Sequence, residues 1–402
     1  MLLAHPLRRL IRTGDLTVID AGGKRHRFGV PGQRPRASFR LHDRALHFKL
    51  ALNPDLYLGE AYMDGGLTIE EGTLYELVEL LASNLAVAPP LPLEALRDRL
   101  APLLRLLQQF NPIGRARANV AHHYDLSDQL YDLFLDADRQ YSCAYFMAPD
   151  DSLDQAQTDK KRHIAAKLLL EPGMRVLDIG SGWGGLGLYL AEKTGAEVTG
   201  LTLSTEQHAR SNQRARDAGL ADRVKFHLRD YREETGTYDR IVSVGMFEHV
   251  GVPHFPAFFA TMKKLLAPGG VALLHSIGRM DGPGTTNPWL RKYIFPGGYA
   301  PALSEVLPVI ERSGLWATDI EILRLHYAMT LHHWYLRFCR HRDQIAKLYD
   351  ERFCRMWEFY LVGAEMDFRY LSTMVFQLQL SRKIDAVPLR RDYMVDWERA
   401  HR

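Results

Sequence analysis

The chain has 402 residues, 46% of them hydrophobic and 25% charged, enough apolar material for one large or two moderate domains. No apolar run approaches the length of a bilayer span, and the start, MLLAHPLRRLIRTGD, has arginines with no apolar stretch behind them, which argues against a secretory signal. The three cysteines, Cys143, Cys339 and Cys354, form no CxxC pair, which excludes a zinc knuckle or disulfide framework and points to a reducing, cytoplasmic setting.

The formal net charge of +3 is unevenly spread. Residues 1–50 hold eleven Lys and Arg against three Asp and Glu, a local +8, so the remainder carries −5. Such a segment suits an anionic partner, a membrane surface or a nucleic acid, though an ordinary solvated face would look the same.

In chain order, TVIDAGG, ASFRLH and ALHFKLAL read as short strands and TLYELVELLASNL as a helix, together a small α+β domain. Pro89-Pro90 and Pro92 then break the chain, and a Leu-rich amphipathic helix is expected to follow. We place a boundary near Asn111-Pro112, giving domains 1–110 and 111–402. Beyond it strands and helices alternate. MRVLDIG is a buried strand, GGLGLYLAEKTG a helix ended by Gly195, AEVTGLTLS a strand and TEQHARSNQRARDAG a helix. VKFHLRD, YDRIVSVGMF and GGVALLHSIG supply three more strands, and WATDIEILRL and STMVFQLQLSR two late ones. The pattern predicts an α/β fold, a Rossmann-like sheet with helices on both faces. Thr330 to about Tyr370 reads as a helical insert whose Trp, Tyr and Phe either pack a core or line an apolar tunnel.

Gly180, Gly182 and Gly185 satisfy G-x-G-x-x-G between a strand and a helix, a spacing that by itself fits a dinucleotide. A dinucleotide also requires a ribose-binding acid at the end of the second strand. That place holds Thr202 and Ser204 instead. An acid comes one strand later, Asp230, followed by Tyr231. A carboxylate to accept from an adenine amine and a ring to stack on it suit S-adenosylmethionine better than NAD. Asp178, just before the turn, is placed to fix its backbone. Asp230 would serve equally as a turn-forming acid.

Further segments carry a resemblance. HYDLSDQLYDLFLD, YSCAYF, VLDIGSGWGG, LTLSTEQ, DRIVSVGMFEHVG, LLHSIG, NPWLRKYIFPGG and TLHHWYLRF lie in collinear order within Tyr57 to Arg382. They resemble the cyclopropane-fatty-acyl-phospholipid synthases, S-adenosylmethionine-dependent enzymes acting on lipid. The resemblance implies a class I methyltransferase sheet and an N-terminal domain that engages lipid. It also implies a peripheral homodimer at the inner membrane face, bound to a phospholipid bilayer, and the +8 segment favours anionic headgroups there. It departs at Ser181, where relatives often have Cys, and at His326, where an acid is common.

By the same resemblance, Cys143, Glu248, His275, Ile277 and Tyr327 match positions that hold a bicarbonate ion, the base for an alkene methylated and then closed to a ring. Glu248 and Tyr327 would meet its hydroxyl and oxygens, His275 would donate from its ring, and the amides of Cys143 and Ile277 would donate without adding charge. Tyr141, Ser142, Gly180, Gly182, Thr202, Gln207, Asp230 and Tyr231 match cofactor positions. Taken singly, Cys143 is a small buried hydrophobe, His275 a core histidine and Glu248 a helix cap. Two other classes compete. A nucleic-acid methyltransferase would need an N/D-P-P-Y-type site where MFEHVG stands, so no nucleic-acid partner is expected. A non-catalytic lipid scaffold would have no use for the intact glycine turn. The paired histidines His122-His123 and His332-His333 do not share a helix face, and no metal is expected.

Overall fold

A computed structural model describes residues 2–89 and 127–402. The Leu-rich helix expected after Pro92, the boundary at Asn111-Pro112 and the His122-His123 pair lie outside them. The described residues form two compact units, and neither is one continuous stretch of chain.

The first unit joins residues 2–89 to Thr286–Pro296 and Ala328–Ser372. Strands β1 (Asp15–Ile19), β2 (Arg25–Gly29), β3 (Arg36–Leu41) and β4 (Leu67–Glu71) form a sheet in the order β2-β1-β3-β4. β1 and β3 run parallel, and the other pairs are antiparallel. Leu16, Val18, Phe39 and Leu41 share a core with Leu77 and Leu80 of helix Leu74–Leu85. That helix starts with a capping box between Thr73 and Glu76, which satisfies two amide donors at its end.

ALHFKLAL, expected as a strand, is instead helix Ala45–Leu52. As a strand it would put Leu46, Phe48, Leu50 and Leu52 on one face. As a helix it buries Leu46 and Leu50, one turn apart, and leaves Phe48 and Leu52 63% and 71% exposed. β2, absent from the expected elements, pairs with β1 through a turn in which Asp20 accepts from the amides of Gly22 and Lys24. The expected helical insert is real but packs with this unit. Val362 and Met366 of helix Glu351–Tyr370 lie in one cluster with Leu74 and Ala82, and Tyr75 donates to Glu365 at 2.7 Å. Trp334, Phe338 and Trp357 are at most 1% exposed, so these aromatics are core.

The second unit holds a seven-stranded sheet of β5 (Arg175–Ile179), β6 (Glu197–Thr202), β7 (Val224–Leu228), β8 (Tyr238–Val244), β9 (Leu266–Arg279), β10 (Trp316–Ile322) and β11 (Thr373–Ser381). The order is β10-β11-β9-β8-β5-β6-β7. β5 through β9 pair in parallel, and β11 runs antiparallel between β9 and β10. Val176–Ile179 is at most 2% exposed because helices cover both faces. Helices Leu153–Leu168, Gly185–Thr194 and Thr205–Asp217 pack on one side, and Phe255–Leu265 and Leu303–Ser313 on the other. Gly195 ends its helix in the left-handed conformation, as expected. The strand order reverses beside β5, so a crevice opens at the carboxyl ends of β5 and β8, where such sheets collect ligands.

Candidate active site

A cavity fills that crevice. It is lined by the glycine turn, the ends of β6, β7 and β8, and residues 139–142. Tyr141, Ser142, Gly180, Gly182, Thr202, Gln207, Asp230 and Tyr231, all expected to meet the cofactor, lie together around it.

The turn is held mainly by backbone. Leu201 O accepts from both Gly180 N and Ser181 N at 2.9 Å. Gly180 has φ +84°, and a Cβ there would meet Met246 Cβ at 2.8 Å. Gly182, at φ +54°, faces open space with no atom within 4 Å of where a Cβ would stand. A Cβ at Gly185 would collide with the Asp138 carboxylate, so this glycine admits the loop that carries Tyr141 and Ser142. Asp138 is itself clamped by Lys161 at 2.5 Å and by Arg214.

Polar atoms left without partners point to a ligand. Thr202 Oγ1 donates to Gln207 Oε1 at 2.9 Å, leaving the buried Gln207 Nε2 without a partner among the described residues. Asp178 Oδ2 is buried and has no hydrogen-bond partner among the described residues, and burial pushes its carboxyl up to about 7 against the pull of Lys160. Asp230 is both a cap and a wall. It accepts from Arg232 N at 2.9 Å and pairs with the Arg232 side chain at 2.7 Å. The Tyr231 ring packs edge-on against Phe258, 5.4 Å between centroids.

Sequence reasoning missed Lys160. It sits in helix Leu153–Leu168, where Lys160, Lys161, Arg162, His163 and Lys167 are all at most 8% exposed. KKRH reads as a solvated face, and only the tertiary fold covers it. Lys160 donates to Gln140 Oε1 at 2.7 Å and Ser142 Oγ at 2.8 Å, and burial lowers its ammonium to about 8 while Asp136 opposes the shift. No sequence signal short of the fold marks it.

Of the second group of expected residues, Glu248 follows β8 in a short turn, 8% exposed, and His275 and Ile277 lie on the adjacent β9. Ile277 N, expected to be free for an anion, donates to Glu248 Oε1 at 2.7 Å. Among the described residues Glu248 Oε2 is buried without a hydrogen-bond partner. Burial raises this carboxyl to about 7, while the Ile277 amide and the Ser276 side chain favour its ionised form and work against the rise. His275, two residues before Ile277 on β9, pairs across to Val244 of β8. Burial first, then Lys160 and Lys167, lower it to about 3, so the ring is neutral. Cys143 is 1% exposed, and its thiol donates to Ala144 O at 3.3 Å. Tyr327 is 8% exposed, in the first turn of helix His326–Arg340. Its neighbour His326 accepts from Phe146 N at 3.0 Å and stacks on Tyr145, tying Tyr327 to the chain just beyond Cys143. Within this group Glu248 and Ile277 are in direct contact.

A parallel sheet with one late antiparallel strand, a glycine turn at its switch point and this cavity define an S-adenosylmethionine-dependent methyltransferase. Residues 113–378 match the family model described as mycolic acid cyclopropane synthetase, and the chain belongs to that family. Over 358 residues it is 37% identical to the cyclopropane-fatty-acyl-phospholipid synthase of Escherichia coli (strain K12), covering 89% of this chain and 90% of that one. Over 257 residues it is 42% identical to a probable fatty acid methyltransferase of Pseudomonas putida, covering 62% of this chain and 65% of the other. The crystal structure of mycolic acid cyclopropane synthase CmaA1, complexed with SAH and CTAB, superposes with a TM-score of 0.63 at 33% identity, over 67% of this chain and 99% of that one. The protein is therefore an S-adenosylmethionine-dependent C-methyltransferase.

Proposed function

We propose that this enzyme transfers a methylene unit to the cis double bond of unsaturated phospholipid acyl chains, forming a cyclopropane ring with bicarbonate as base. The observation that carries the reading is Glu248: one oxygen is anchored by the Ile277 amide, and the other is a buried acceptor without a hydrogen-bond partner among the described residues. A hydrogen-carbonate hydroxyl is a fitting donor to that oxygen. S-adenosylmethionine, when bound, supplies an electrophilic methyl group. Gln207 Nε2 and the 139–142 loop would orient it. Glu248 Oε2, His275, Tyr327 and the Cys143 amide would hold the anion, with Ile277 positioning Glu248. Burial of this group keeps water from the charge that develops.

The name of the Pseudomonas putida relative, a probable fatty acid methyltransferase, fits a second ending, in which a hydride shift moves the cation and loss of a proton to the base leaves a methylene chain or a methyl-branched alkene. For docking, the +8 segment and the exposed Phe48 and Leu52, flanked by Arg44 and Lys49, suit an anionic phospholipid surface. Among the described residues no helix is long and apolar enough to cross a membrane. Peripheral attachment at the inner face, as a homodimer, completes the proposal.

The test is mass spectrometry of fatty acid esters from a host expressing the chain. A ring adds CH₂ and survives hydrogenation that saturates an alkene. Recovery of only branched or methylene products overturns the cyclopropane reading. Turnover that ignores removal and restoration of bicarbonate overturns the base.

A further inference from the structure

Behind His275 lies a line of buried side chains that the mechanism above does not use. His275 Nδ1 is 3.1 Å from Gln377 Nε2. Gln377 Oε1 accepts from Lys167 Nζ at 2.8 Å. Lys167 is paired with Glu321, whose carboxylate also meets His163 Nε2 at 2.7 Å. His163 Nδ1 lies 2.5 Å from Glu398. His275, Gln377 and Lys167 are at most 2% exposed, so water does not compete along this part of the line.

The donors and acceptors in this line allow one arrangement. A lysine ammonium has donors only. Burial lowers the pKa of Lys167, and the Glu321 carboxylate paired with it works against that and favours the ammonium. The atom of Gln377 facing Lys167 must therefore be its oxygen. The opposite orientation would set two donors against each other 2.8 Å apart in a dry interior, where an unmade hydrogen bond is most costly. Gln377 then presents its NH₂ to His275. An Nδ1–H would clash with that donor, so Nδ1 must accept and the ring proton must reside on Nε2.

We propose that Lys167 and Gln377 are positioning residues that lock His275 in its Nε2–H tautomer, so that the ring meets the reacting site as a neutral donor. The proposal deepens the bicarbonate reading, which requires His275 to donate, but the tautomer itself stands on the protein alone. The remote pair Glu321–His163 extends the device. Both ring nitrogens of His163 face carboxylates, Nε2 that of Glu321 and Nδ1 that of Glu398; burial disfavours charge on the ring, but these hydrogen bonds prevail and raise its pKa.

The test is long-range proton–nitrogen NMR on the full chain labelled at histidine, with His275 assigned by its loss in His275→Gln. Wild type is expected to show a bare Nδ1 and a protonated Nε2. Gln377→Glu puts an acceptor opposite Nδ1 and should move the proton there. It should lower kcat by about a hundredfold to ten-thousandfold, the range spanned when a histidine loses its orienting partner or takes the wrong tautomer, while calorimetric affinity for S-adenosylhomocysteine stays within about twofold, because the cofactor cavity is untouched. Lys167→Arg keeps a donor-only cation and should preserve tautomer and rate. Lys167→Met should give mixed tautomers. A protonated Nδ1 in wild type, an unchanged tautomer in Gln377→Glu, or equal behaviour of the two Lys167 variants overturns the proposal. Should a variant fail to fold, the wild-type spectrum alone decides. If the tautomer is as stated and turnover ignores bicarbonate, the lock stands and the bicarbonate reading falls.

Discussion

Replacing Glu248 by glutamine should cut turnover about a hundredfold or more and, at the same time, stabilise the unliganded protein. Burial moves this carboxyl from an ordinary 4.5 up to about 7. A raised folded pKa means that the folded state binds the proton more tightly than the unfolded chain. Its contribution is therefore fully present below pH 4.5 and is lost as pH rises through about 7. A gap of about 2.5 units amounts to a penalty of about 3 kcal/mol at pH 8 and under about 1 kcal/mol at pH 5. Glutamine keeps an oxygen for the Ile277 amide and carries no charge. It leaves an unpaired NH₂, which offsets about 1–2 kcal/mol. The net expectation is a gain of about 1–2 kcal/mol at pH 8 that vanishes or reverses by pH 5. Urea unfolding without cofactor and with carbon dioxide excluded reads it, since a bound anion would add its own stabilisation. A Glu248→Gln protein less stable than wild type at pH 8, or an equal difference at both pH values, would refute the reasoning.

Three further outcomes follow from the geometry. Gly182→Val should abolish calorimetric binding of S-adenosylhomocysteine, because its side chain enters open cavity and its φ of +54° adds about 1–2 kcal/mol of strain; retained binding would remove the turn from the cofactor site. Cys143→Ala should cost less than about tenfold in turnover, because the backbone amide survives, whereas Glu248→Gln should cost about a hundredfold or more; equal losses would make the thiol a participant. Phe48→Glu combined with Leu52→Glu should reduce co-sedimentation with anionic vesicles, and 1 M salt, with a Debye length of about 3 Å, should weaken wild-type binding too; binding unaffected by either would make this face an ordinary surface.

What could be read from the sequence was what depends on local pattern. The buried run Val176–Ile179, the glycine turn after it and the Gly195 cap follow from hydrophobic periodicity and backbone freedom, and their places in the fold agree with the reading. ALHFKLAL misled because its apolar residues alternate, while only Leu46 and Leu50 find a core. Lys160 and Lys167 were invisible for the opposite reason: charged residues look solvated until the fold supplies their partners across 18 to 210 positions of sequence. Ile277 shows the same limit at the scale of one bond. Its residue number came from resemblance, but its amide faces Glu248.

The chain path of the first unit bears on how the protein can be made and rearranged. Its sheet comes from residues before 72, but helix Glu351–Tyr370, which closes it against helix Leu74–Leu85, emerges from the ribosome almost 300 residues later. The unit therefore cannot finish folding during synthesis of its own N-terminal part, and the early sheet must wait with Leu74 and Ala82 uncovered. A chimera with a relative would have to exchange Thr286–Pro296 and Ala328–Ser372 together with the N-terminal segment. Cutting once between the two would deliver neither half intact.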